Sequence, residues 1–124
     1  RAGMDLAGCD IFVKVAGGGR IDDPGADLAI MAALASSLRE RPVPLDTLVL
    51  GEVGLTGEVR QVSDLDSRLR EGARHGFARA IHARAVGTRG GLRKVEGMEI
   101  LTVNSVEEAV ALALQPTGRR AGEG

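Results

Sequence analysis

Tryptophan and tyrosine are absent from these 124 residues, and Phe12 and Phe77 are the whole aromatic complement. A face of stacked aromatic rings, the usual platform for single strands, is therefore poorly supported. Cys9 is the single cysteine. That excludes an intrachain disulfide and fits a reducing compartment. With no clear base beside it, Cys9 reads as small apolar packing rather than a reactive thiol. No run is long and apolar enough to cross a bilayer, and the N-terminus has no signal-peptide pattern. The net charge of -1 offers no overall attraction to nucleic acid, so such contact must come from locally sorted charge. His75 and His82 have no partner at metal-ligand spacing, so neither reads as a metal site.

What is there suits one compact aliphatic domain. It is organised around the stretch Asp23-Pro24-Gly25-Ala26-Asp27 and the helix that follows, Leu28 to Arg39. Asp23 can accept backbone N–H groups one turn in, and Pro24 fits the first helical position, where its missing donor costs nothing. Leu28, Met31, Leu34 or Ala35, and Leu38 recur at helical spacing, with alanines filling the rest. A helix so apolar on nearly every side is expected in the interior, covered by neighbours.

Before it, residues 8–15 alternate as a strand and end at Gly17-Gly18-Gly19. A glycine run feeding a helix N-terminus can cradle phosphate, but the Lys-Ser/Thr pair of the nucleotide-binding loop is missing. A flexible turn or a backbone–phosphate contact fits better. After the helix, Arg41-Pro42-Val43-Pro44 predicts an extended, exposed connection. Leu48-Val49-Leu50 predicts a buried strand, with a turn at about 54–57 and a return through Val59 to Val62. Ser63 or Asp64 caps a second helix to about His75, with Leu65, Leu69 and Ala73 inward and Asp66, Arg68, Arg70, Glu71 and Arg74 outward. Gly76 ends it and Phe77 to His82 forms a strand. Residues 83–97 read as a polar loop, Met98 to Val103 as a strand, and Val106 to Leu114 as a last helix capped by Asn104 or Ser105. Helices alternating with strands indicate an α/β layer.

Taken together, Asp10-Ile11-Phe12-Val13-Lys14-Val15-Ala16-Gly17-Gly18, Ala26-Asp27-Leu28-Ala29, Arg41-Pro42-Val43-Pro44 and Gly51-Glu52-Val53-Gly54-Leu55-Thr56-Gly57-Glu58-Val59-Arg60 resemble the C-terminal domain of the bacterial RadA (Sms) family. Ala73 to Ile81 supports the match, which runs from Cys9 to Leu114. That domain is similar to the proteolytic domain of Lon. The resemblance implies a ribosomal-protein-S5-domain-2-like α/β fold with helices on a mixed sheet. It also implies a homo-hexameric ring, a role in DNA repair and recombination, and a bacterial cytoplasmic setting. The family's upstream part carries a zinc finger and a RecA-like ATPase that drives branch migration, so ATP, Mg and Zn belong there and no cofactor is expected here. On this reading residues 1–8 lead in from an upstream ATPase domain, 9–115 form the Lon-like domain, and 116–124 form a disordered tail.

Lon-type peptidases place a serine at the start of the helix and a lysine on a later one. By the resemblance Gly25 takes the serine position, and Asp66, in Ser63-Asp64-Leu65-Asp66, takes the lysine position. Activating a hydroxyl needs a nucleophile and a base within hydrogen-bond reach, and neither position supplies one. Lys14 and Lys94, the two lysines present, do not replace that base. The expected role is therefore a ring scaffold and platform for single-stranded or branched DNA. By the resemblance, Arg20 and Arg60 are the expected main phosphate contacts, each beside a glycine-bearing turn, with Lys14, Arg68, Arg70 and Arg74 as weaker candidates. The alternative is a peptide- or protein-binding module that keeps a Lon-like groove without proteolysis. Val43, Leu45 and Leu55 are candidate subunit contacts.

Overall fold

The computed structural model describes residues 14–19, 22–40, 43, 46–84, 95 and 97–115. A 3-10 turn at Pro24–Ala26 leads into α1 (Asp27–Arg39). The order continues through β1 (Thr47–Val49), β2 (Glu52–Val53), β3 (Val59–Arg60), α2 (Leu65–Arg74), β4 (Arg79–Ala83), β5 (Glu99–Val103) and α3 (Val106–Ala113). β1, β4 and β5 form a parallel sheet in the order β1-β4-β5, while β2 and β3 form a separate antiparallel hairpin. The expected α/β class holds, with parallel and antiparallel pairings both present among the described residues. Leu48 pairs with Ala80, and Ile81 with Leu101.

Both faces of the sheet are covered, which explains why every residue of β1 is buried. Alternate side chains of a strand face opposite ways. Thus Thr47 receives a hydrogen bond from Arg79 Nε at 3.1 Å, and the same guanidinium reaches the end of α3 through the Leu112 and Gln115 carbonyls. Leu48 instead lies under α2, so close to Gly72 that a Cβ there would sit 2.6 Å from Leu48 Cδ2. α1 lies against α3 and touches β1. Arg79 is 4 % exposed, and a cation at the last carbonyls of a helix complements its dipole.

The entrance to α1 forms as its sequence predicts: Asp23 accepts from the Gly25 N–H at 2.7 Å and Pro24 holds the first position. The inward face does not. Leu28, Ala29 and Ala32 are buried, whereas Ile30, Met31, Leu34 and Leu38 are 36 %, 40 %, 59 % and 86 % exposed. Alanine lets α1 approach its neighbours closely, which turns the larger side chains outward.

Other expectations are met or corrected locally. Lys14 to Ala16 form a helical turn instead of the end of a strand. Gly18 N–H donates to Val15 O at 3.1 Å and Gly19 N–H to Lys14 O at 2.7 Å, with both glycines at positive φ. This is the Schellman pattern that closes a helix, so the glycine run is a helix stop in which the Gly18 and Gly19 amides are already used. The same pattern ends α2, where Phe77 N–H reaches Gly72 O at 3.0 Å and Gly76 N–H reaches Ala73 O at 3.1 Å. Asp64 stands at the start of α2 in a left-handed conformation and makes no capping bond with its side chain. Ser105 caps α3 by accepting from the Glu108 N–H at 3.1 Å. Val43 is buried at 1 %, not exposed. Arg20, Leu45, residues 8–13, most of the loop at 83–97 and the tail at 116–124 lie outside the described residues.

The hairpin docks on the turn between β5 and α3. Gly57 O accepts from Val106 N–H and Asn104 O accepts from Val59 N–H, each at 2.9 Å. At its other end Gly51 exchanges hydrogen bonds with the α1 entrance, donating to Gly25 O at 3.1 Å and accepting from Leu28 N–H at 3.0 Å. A Cβ on Gly51 would lie 2.7 Å from Val59 Cγ1 and 3.1 Å from Leu28 Cδ2. Gly51→Ala is therefore expected to lower stability by about 1–3 kcal/mol, the usual cost of overpacking. Urea unfolding followed by circular dichroism measures it, and a loss below about 0.5 kcal/mol, the range of neutral surface changes, would contradict this packing.

Candidate functional site

Three segments meet at the 3-10 turn that leads into α1: the helical turn at residues 14–19, the Asp23–Gly25 cap, and α2. Gly25 is buried and offers no side chain. The space over its Cα holds the guanidinium of Arg68, which is 6 % exposed. Arg68 Nη1 donates to Ala16 O at 2.8 Å and to Asp23 Oδ1 at 3.0 Å, and Nη2 donates to Ser63 Oγ at 3.3 Å. A Cβ at Gly25 would stand 2.1 Å from Arg68 Nη1, 2.8 Å from Asp23 Oδ1 and 2.9 Å from Val62 Cγ1. The first of these is deep inside van der Waals contact. A guanidinium held by hydrogen bonds cannot swing away as a free side-chain end would.

Arg68 is thus corrected from an outward cation to a buried one. Leu65, Arg68, Leu69 and Gly72 are the buried residues of α2, an i, i+3, i+4, i+7 series. That spacing is the signal that places Arg68 on the inner stripe, and reading every charge on the helix as solvated hides it. Asp66 is exposed on the first turn of α2. It lies roughly 200° around the helix from Arg68, so it faces away from the side that covers Gly25.

The hairpin carries the second cluster. Glu58 Oε2 accepts from Arg60 Nη2 at 2.7 Å and from Arg60 Nε at 3.2 Å, and Glu58 Oε1 accepts from the Thr56 N–H at 3.2 Å and from the Thr56 hydroxyl. The Thr56 hydroxyl bond, followed by the Arg60 bond, lowers the Glu58 pKa from 4.5 to about 2. Arg60 stays 59 % exposed despite the pairing. Leu55, at the tip, is fully exposed.

Lys14, Arg70 and Arg74 are exposed. Arg74 pairs with Glu71, whose other oxygen meets His75 Nε2 at 3.0 Å, and these two hydrogen bonds, Arg74's first, lower the Glu71 pKa. His82 is buried in β4 with Nδ1 2.9 Å from Ala83 O. Among the described residues no group of three or more His, Cys, Asp and Glu side chains is placed to hold a metal ion, and no helix is long and apolar enough to cross a membrane. The expected cations that lie among the described residues stand on different elements. Arg68 is inside the fold, Arg60 is on the hairpin, and Arg70 and Arg74 are on α2.

A parallel sheet backed by α1 and α3, with a glycine-bearing hairpin tied to the start of α1, carries this site. The family model for the Lon protease (S16) C-terminal proteolytic domain matches residues 5–116, and the chain belongs to that family. Within it, the chain is similar to DNA repair protein RadA of Escherichia coli K12, 43 % identical over 110 residues, which cover 89 % of this chain and 23 % of that protein. It is likewise similar to DNA repair protein RadA of Bacillus subtilis, 43 % identical over 114 residues, covering 92 % of this chain and 24 % of the relative. The RadA of Aquifex aeolicus is 43 % identical over 101 residues, covering 82 % and 22 %. The chain thus spans about a quarter of the length of the relatives it matches.

A carboxyl with its pKa lowered on folding stabilises the fold above its unfolded pKa. Here that contribution fades as pH falls from about 4.5 toward 2. Followed by carboxyl-carbon NMR, Glu58 should titrate with a midpoint of about 2 and move up toward 4.5 in Thr56→Ala. An unchanged midpoint in that variant would contradict the assignment of cause.

Proposed function

We propose that this domain is a non-catalytic Lon-like scaffold of a DNA repair and recombination protein. It would build a homo-hexameric ring and help an ATP-dependent branch-migration motor upstream in the same protein hold single-stranded or branched DNA. The observation that carries the non-catalytic part is the Arg68 guanidinium standing where a side chain at residue 25 would have to begin. Acyl transfer needs an attacking atom at that turn and a base within hydrogen-bond reach of it. Gly25 supplies no such atom, and Asp66 lies on the outer side of α2. The similarity to DNA repair proteins from several bacteria supports the setting.

Assembly draws support from α1. Ile30, Met31, Leu34 and Leu38 are large apolar side chains left exposed on one helix, and contiguous apolar surface of this kind marks interaction sites. Leu55 remains a candidate contact, and Val43 does not. DNA contact draws support from the exposed Arg60, Arg70 and Arg74 and from Lys14; Arg20 stays a candidate by its sequence position. Because the chain is nearly neutral, each subunit's attraction would be modest, and a ring would multiply it. Glu58 and Glu71 hold Arg60 and Arg74 in place, so a phosphate would compete with a carboxylate for each. ATP, Mg and Zn are assigned to the upstream part and to no residue of this chain; Gly18 and Gly19 already donate their amides within the chain. A bacterial cytoplasmic location follows from the same reading.

The peptide-binding alternative draws less support, because Arg68 and Val62 fill the volume over Gly25. Single-stranded DNA binding across a salt series separates the two. The scaffold reading predicts affinity that falls as salt rises. Arg20→Ala with Arg60→Ala should reduce the slope of log K against log salt by about 1 for each phosphate no longer neutralised. Affinity and slope unchanged in the double variant would contradict it. Light scattering should give a hexameric mass that Leu34→Asp lowers.

A further inference from the structure

The contacts of Arg68 join the C-terminal end of one helical turn to the N-cap of the next helix. In the turn at residues 14–16, Lys14 O and Val15 O are satisfied by the Gly19 and Gly18 amides. The next carbonyl, Ala16 O, receives Arg68 Nη1. The same nitrogen reaches Asp23 Oδ1, the oxygen that also caps the Gly25 amide. One guanidinium therefore completes the end of the entering turn, braces the cap of α1, and ties both to α2. Gly18 lies beside it as well, with the site of a Cβ 3.5 Å from Arg68 Nε.

We propose that Arg68 is a latch that fixes residues 14–19 to the entrance of α1, and that glycine at position 25 is its steric requirement. On this backbone a side chain at 25 overlaps the latch, so the guanidinium must leave its hydrogen-bonded position to admit one. In this domain the position where a peptidase would carry its nucleophile has become the joint between residues 14–19, the entrance of α1 and α2. The inference is independent of whether the domain binds DNA or peptide.

Hydrogen exchange of individual amides in the intact chain, followed by NMR, tests it. The Gly18 and Gly19 amides report the entering turn, and those of β4 report the fold as a whole. Arg68→Met should speed exchange of the two glycine amides at least about tenfold relative to β4, as expected when a hydrogen bond from a charged donor is removed. Gly25→Ala should speed the same two amides, because its Cβ displaces the guanidinium. In the Arg68→Met background Gly25→Ala should add less than about twofold, the coupling of two residues that share one volume. Should Arg68→Met fail to fold, Asp23→Asn keeps the capping oxygen, removes its charge, and should also speed the two glycine amides. The proposal is overturned if Gly25→Ala leaves Gly18 and Gly19 as slow as in the unaltered chain. Equal acceleration by Gly25→Ala in both backgrounds, or no effect of Asp23→Asn, would overturn it too.

Discussion

The guanidinium of Arg68 is the constraint on which the arrangement of this domain depends. It is buried, and its donors go to a backbone carbonyl, a capping carboxylate and a hydroxyl. Burying a charge is costly unless it is paired and hydrogen-bonded, so each of those partners is held in place by the need to satisfy it. Gly25 follows from the same requirement, since any Cβ there meets Nη1. Asp23 answers two demands with one oxygen, accepting from the Gly25 amide and from Arg68. The start of α1, the turn before it and the inner face of α2 are thus a single unit.

Arg79 repeats the device on the other side of the sheet. It is buried at the start of β4, bonded to Thr47, and directed at the last carbonyls of α3. In a chain with few aromatic residues and a core of alanine, valine and leucine, the two arginines buried among the described residues carry connections between elements that apolar contact alone leaves unspecified in direction. The hairpin adds a third connection through backbone, with Gly51 at the α1 entrance and Gly57 at the start of α3.

Much of this was legible in the residues. Asp23-Pro24 marks the start of α1, Gly76 the end of α2, and Ser105 with Glu108 the start of α3, because each supplies a local group that only a helix end uses. The hairpin was legible from Gly54 and Gly57. The orientation of α1 was not, because alanines can face a core as well as leucines can. Periodicity groups Met31, Leu34 and Leu38 on one side without saying which side is covered. Lys14 and Val15 alternate with their neighbours as strand residues do, yet two glycine amides close them into a helical turn. Arg68 was hidden by its charge, although its spacing from Leu65 and Leu69 put it on the inner stripe. In Arg41-Pro42-Val43-Pro44 the prolines suggested an exposed connection, while Val43 is buried.

This member of the Lon proteolytic family keeps the family's framework while its first helical turn is occupied from within. On the proposed reading, the surfaces left for function are the apolar outer stripe of α1 and the arginines of the hairpin and of α2. NMR of the arginine side chains tests the central claim most directly. The account predicts that the Arg68 guanidinium protons exchange slowly with water and give nuclear Overhauser contacts to the Gly25 Hα protons. A guanidinium that exchanges as fast as an exposed arginine and gives no contact to Gly25 would contradict it.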